Sequence, residues 1–177
     1  MSLITELKTL AYPDYRLLEI RDSDTIVTDD EAADASRTRV VVGSGPHIYI
    51  SSLQRDIDVQ VTIRIWDSPQ EPPTDVEGHT QVSFESPTGL ISVDQLTMGS
   101  AAFMALPCPG VYEGHAAWTN RQATSDYVDE CMDRSLEEDW DSIQTRQAWN
   151  ECPVLEEYTI DLWHQGRFKV NAGKIGP

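Results

Sequence analysis

At 177 residues, 40% of them hydrophobic and with a mean hydropathy of −0.40, the chain is sized for one folded domain and is neither disordered nor membrane-embedded. Thirty Asp and Glu against thirteen Lys and Arg give a net charge of −17, which repels nucleic acid and anionic membranes and attracts cationic partners. Acidity also promotes solubility and suits a salt-loving or high-GC source, so charge alone does not decide function.

The first residues, Met1 to Leu10, place Glu6 and Lys8 among the leucines and lack the cationic-then-apolar order of a signal peptide, which predicts a cytoplasmic protein. Tyr15–Arg21 reads as a strand. The run Asp22 to Asp34 holds six acids and no base, and reads as a solvated face or a flexible loop. Thr38–Val42 and His47–Ser51 are two strands separated by the turn-prone Gly43-Ser44-Gly45-Pro46. The clearest strand is Asp58–Trp66, where Val59, Val61, Ile63 and Ile65 point one way and Gln60, Thr62 and Arg64 the other. Asp67 to Gly78, with three prolines, is a loop. Thr80–Glu85, Leu90–Val93, Ala101–Leu106, Val111–Trp118 and Val154–Trp163 follow as strands. Pro87-Thr88-Gly89 and Pro107-Cys108-Pro109-Gly110 turn the chain between them.

One segment breaks that rhythm. From Ser125 to about Trp149 the apolar residues Val128, Met132, Leu136, Trp140 and Ile143 recur at helical spacing, and Ser135 with Glu138 has the form of a capping box that starts a second helix. About nine short strands, with no regular helix between them, predict a mainly β fold. It is an antiparallel sandwich forming one domain, with an acidic helical insertion over 122–152 before the last strand.

Motifs for chemistry are absent. No glycine-rich phosphate loop, nucleophile elbow or zinc helix motif occurs, and His47, His79, His115 and His164 are scattered singly. His115, on a strand, reads as a satisfied, half-buried side chain. Cys108, Cys131 and Cys152 form an odd set without a CxxC pair, which reads as three thiols in a reducing compartment; a bridge between Cys131 and Cys152 would leave Cys108 over. No calcium loop is present, and no Lys or Arg lies between Ile65 and Asn120 to meet a phosphate. The expectation is a non-enzyme without cofactor, metal or nucleic-acid ligand.

What remains is charge pattern. Between Asp126 and Glu157 lie eleven acids against Arg134 and Arg146, a local net of −9, with Trp140 and Trp149 inside the run. Charges of one sign steer and select a partner, and rings supply desolvated contact area. The candidate partner-binding residues are therefore Asp126, Asp129, Glu130, Asp133, Glu137, Glu138, Asp139, Trp140 and Asp141. Helical spacing equally allows both tryptophans to face the core.

The second half also carries a family pattern. Ala105-Leu106-Pro107-Cys108-Pro109-Gly110-Val111-Tyr112 opens a strand ending at Trp118, an acidic insertion follows, and Glu157-Tyr158-Thr159-Ile160-Asp161-Leu162-Trp163 closes it. This resembles the Leu-Pro…Gly-x-Tyr and Tyr-x-Ile-Asp strands of the ComJ-like proteins, small inhibitors of a DNA-entry nuclease. It is also similar to uncharacterised bacterial proteins of immunity-protein type, although Glu113-Gly114-His115 stands where that group alternates arginine and valine. The resemblance spans about a third of the chain. It implies an inhibitor or immunity protein that neutralises a basic nuclease or toxin, and it brings no catalytic residue. The other reading is a non-catalytic sandwich binding a small molecule, a sugar or an assembly partner, for which an exposed pair Trp66 and Trp118 on a sheet face would speak.

Overall fold

The computed structural model describes residues 1–25 and 34–167. They form ten strands and two helices: β1 (Leu3–Ala11), β2 (Leu17–Asp22), β3 (Val41–Ser44), β4 (His47–Ser51), β5 (Val59–Trp66), β6 (Gly78–Ser86), β7 (Leu90–Asp94), β8 (Ser100–Ala105), β9 (Gly110–Thr119), α1 (Arg121–Glu137), α2 (Ser142–Asn150) and β10 (Glu157–Gly166). The strands make two five-stranded sheets, ordered β1-β5-β10-β9-β6 and β3-β4-β2-β7-β8. This is a β-sandwich, as the alternation predicts.

Period-two burial assembles the core. Val59, Val61, Ile63 and Ile65 of β5 are fully buried, and so are Tyr158, Ile160 and Leu162 of β10. They meet Leu18, Ile20, Ile48, Ile50, Ile91 and Val93 from the second sheet in one apolar cluster. At one rim β3 comes so close to β6 that a Cβ on Gly43 would lie 2.7 Å from the Ser83 carbonyl oxygen, so only glycine fits there.

Three features differ from the sequence expectation. First, the sandwich is not purely antiparallel, because β10 runs parallel to β5, with Val61 beside Tyr158 and Ile63 beside Ile160. A parallel pair needs a long crossover, and the whole chain from β6 to α2 supplies it. Second, β1 is an additional strand, paired to β5 from Ala11↔Val59 to Leu3↔Trp66. Being an edge strand, it leaves Leu3, Ile4 and Leu10 exposed and so lacks a clean alternation. Third, Asp22 belongs to no solvated run. It is fully buried, and its carboxylate accepts bonds from Ser86 Oγ (2.6 Å), Thr88 N (3.0 Å) and Thr88 Oγ1 (2.8 Å), stitching β2 to the β6–β7 turn. Asp29, Asp30 and Glu31 of that run lie outside the described residues.

Candidate functional site

The insertion between β9 and β10 is a helical hairpin fastened to the sandwich mainly at its root. Asn120 adopts left-handed backbone (φ 60°) and its Nδ2 donates to the Leu155 carbonyl (3.1 Å). The first helical N–H, Arg121 N, donates to Glu77 Oε2 (2.9 Å), a carboxylate placed where the helix dipole favours negative charge. Beneath it lies a polar network around Glu156, which is fully buried. Its carboxylate accepts from Ser52 Oγ (2.6 Å), Gln54 Nε2 (3.4 Å) and the Tyr158 hydroxyl, and Arg121 Nε is 3.4 Å away. Burial outweighs these partners and holds the Glu156 carboxyl above the usual carboxylate range. Burial likewise pushes the Tyr158 phenol up, with the Glu156 charge adding to the effect. Arg121 Nη2 also donates to the Ser51 carbonyl (2.9 Å), so the helix start is tied to the second sheet.

Beyond the root, α1 buries only Thr124, Val128 and Cys131, and α2 buries nothing. The helices are joined by Tyr127, whose hydroxyl donates to the Ala148 carbonyl (2.8 Å). Their junction is built differently from the Ser135/Glu138 box expected from sequence. Ser135 Oγ instead bonds back to the Met132 carbonyl (2.7 Å), Asp139 turns the chain in left-handed backbone (φ 54°), and Asp141 caps α2 in a true capping box with Gln144.

This geometry settles where the nine candidate residues lie. Asp126, Asp129, Glu130, Asp133, Glu137, Glu138, Asp139 and Asp141 are all exposed, and Trp140 is half-buried. Arg134 lies 4.8 Å from the Trp140 ring and 3.4 Å from Glu138, and the indole Nε1 donates to Glu138 Oε2 (2.8 Å). Beyond the Arg121–Glu156 pair at the root, that is the one Arg–carboxylate ion pair on the hairpin among the described residues; Asp129, Glu130, Asp133, Glu137 and Asp139 have none. The acidic run is not uniformly displayed, however, because Glu156 belongs to the buried root. The apolar stripe also divides. Val128 and the partly exposed Met132 face the segment 53–56, while Leu136 and Ile143 are 79% and 74% exposed. Sequence reasoning read these residues only as helical spacing. Their exposure follows from how little of the hairpin is covered, only Thr124, Val128 and Cys131 being buried in its helices, which no local pattern encodes. Trp149 is half-buried at the root, and its Nε1 is buried without a hydrogen-bond partner among the described residues.

The outer face of the first sheet carries a second constellation. Arg64 makes two bonds of 2.7 Å to Asp161, and Trp66 Nε1 donates to the same carboxylate (2.6 Å). His115, 5.4 Å from the Trp163 ring centroid, is half-buried, and its Nδ1 lacks a partner among the described residues, so it is not the satisfied side chain the sequence suggested. Trp66 is half-buried in this cluster, and Trp118 packs against the core, so the two do not form an exposed aromatic groove. Cys108, Cys131 and Cys152 are free thiols. No group of three or more His, Cys, Asp or Glu among the described residues is arranged to hold a metal. No described helix is long and apolar enough to cross a membrane.

Fold and surface together define a β-sandwich bearing a displayed acidic helical hairpin. Two solved structures share the fold. One is ComJ from Bacillus subtilis, described as an inhibitor of the DNA degrading activity of NucA; it is 12% identical over 93% of this chain and 98% of its own, with a TM-score of 0.56. The other is the crocagin biosynthetic gene J product, 13% identical over 94% of this chain and 100% of its own, with a TM-score of 0.52. At such identities the likeness is one of fold. No family model and no curated protein matches the chain.

Proposed function

We propose that this protein is a non-catalytic inhibitor or immunity-type protein that neutralises a basic partner enzyme, a nuclease or a toxin, through the helical hairpin. The observation that carries this reading is the display of eight exposed carboxylates on the same hairpin as the exposed side chains of Leu136 and Ile143, with Arg134–Glu138 the one ion pair there beyond the root among the described residues. A surface of one sign attracts a cationic cleft at long range, and the apolar tip supplies the desolvated contact that holds it. Carboxylates presented along α1 would occupy the positions that a nuclease reserves for phosphates, and DNA would then be excluded by charge as well as by bulk. The shared fold with ComJ, an inhibitor of a DNA-degrading activity, supports the same reading.

The test is affinity capture of the partner on the intact protein, followed by salt titration and a DNA-degradation assay of the released partner. The expected result is a basic partner that binds at low salt, dissociates as ionic strength rises, and loses its activity when the protein is added back. A partner held equally at low and high salt, or one whose activity the protein leaves untouched, would overturn the reading.

A further inference from the structure

The hairpin does not lie flush on the sandwich. Between it and the segment 52–58 runs a cleft of two adjoining cavities, about 700 and 460 Å³, which share Asp56 and Trp149 as lining residues. Its lining holds as many arginines as carboxylates, in a chain that is otherwise strongly acidic. In a chain of net charge −17, Arg16 and Arg55 line the larger cavity with Asp56 and Asp129, and Arg146 lines the smaller with Asp56 and Asp58; none of the three arginines has a carboxylate within 4 Å among the described residues, so their guanidinium forks are not taken up by an ion pair. Burial holds the Asp56 carboxyl above the usual range despite Arg55 and Arg16 nearby. Apolar area is provided by Leu53, Met132 and the Trp149 indole, whose N–H has no partner among the described residues.

The backbone that delivers Arg16 is itself strained. Tyr15 and Arg16 are both left-handed, at φ 52° and 65°, a conformation that costs free energy in any residue bearing a Cβ. The turn is held in place from both sides. The Asp14 carboxylate accepts from Thr97 N (2.9 Å) and Thr97 Oγ1, and the Arg16 carbonyl accepts from Ser52 N (2.9 Å). Such strain persists where surroundings over-determine it, and it gathers at sites that hold ligands. Here it fixes Arg16 on the same floor as Arg55.

We infer that this cleft is a binding site for an organic anion, with its carboxylate, phosphate or sulfonate held by Arg16 and Arg55 and its apolar body against Trp149, Leu53 and Met132. Guanidinium forks pair with oxyanions of this class, and the volume admits a ring-sized ligand. The site needs no protein partner, so its failure would leave the inhibitor reading standing, and failure of the inhibitor reading would leave the site.

The experiment is a fluorescence titration of the full chain with 8-anilinonaphthalene-1-sulfonate, followed by displacement with phenyl phosphate, benzoate and neutral benzamide. Saturable binding is expected, with energy transfer from tryptophan that drops in Trp149→Phe. Phenyl phosphate and benzoate compete, their ranking tells phosphate from carboxylate ligands, and benzamide does not compete. The Arg16→Gln, Arg55→Gln double variant should weaken binding by about tenfold or more, while Arg37→Gln, at an exposed site elsewhere, leaves it unchanged. Circular dichroism of each variant separates a lost site from a lost fold, and Arg16→Lys should recover part of the affinity if the charge is what matters. The inference is overturned by no saturable binding in the wild type, by benzamide competing as well as benzoate, or by equal affinity in a folded double variant.

Discussion

Replacing Leu136 and Ile143 together by serine separates display from structure. Both side chains are largely exposed, at 79% and 74%, and neither belongs to the buried core. Folding therefore gains little from them, and the double variant should lose less than about 1 kcal/mol of stability. A partner that covers them gains apolar burial. Full burial of such a side chain contributes roughly 1.5–3 kcal/mol, so about three quarters of that is available at each position, or about 2–4 kcal/mol for the pair. In affinity this is roughly a 30- to 1,000-fold loss. The assay is a competition binding curve on the captured partner, beside a thermal melt of the free protein. An affinity within about threefold of wild type would refute the reasoning, as would a melting temperature lower by many degrees, which would place the two residues in the fold's own packing.

Further outcomes follow from the same surface and its root. Changing Asp126, Asp129, Glu130 and Asp133 to their amides should slow partner association about tenfold at low salt and leave it unchanged near 0.5 M, as stopped-flow rates would record. Glu156 has a folded pKa raised above its ordinary 4.5, so its contribution to stability is present below that value and is lost as pH rises through the folded pKa. Glu156→Gln should consequently flatten the decline in the urea midpoint as pH rises above 4.5, and an identical decline in both proteins would contradict this. A Cβ at Gly114 would overlap the Asp161 carbonyl oxygen across the β9–β10 ladder, so Gly114→Ala should cost about 2–4 kcal/mol in urea unfolding.

How much of this was readable beforehand depends on how local the cause was. The β5 strand and its four inward residues are plain in the sequence, because a strand buried on one face must alternate. The β1 strand escapes, since an edge strand buries too little to enforce a pattern, and Glu6 and Lys8 sit comfortably on its exposed side. The parallel union of β5 and β10 joins segments some ninety residues apart and leaves no local mark. The hairpin was legible as helix, but its limits were not. The start at Arg121 is capped by Glu77, a residue from a distant loop, and its first helix ends on Asp139 in a conformation for which glycine is the usual signal. Of the site, the acids were legible because a solvated face is what a charged run makes. Exposure of Leu136 and Ile143, and the meeting of Arg16 with Arg55, are properties of the assembled fold.

Carboxyl footprinting reads the central surface directly, by modifying accessible Asp and Glu with a carbodiimide-activated amine in the free protein and in the complex with its captured partner. Asp129, Glu130, Asp133 and Glu137 should lose most of their labelling in the complex, while Glu71 and Asp75, on the exposed loop before β6, keep theirs. Undiminished labelling along α1, with protection falling instead on the loop or on the sheet face, would contradict the account.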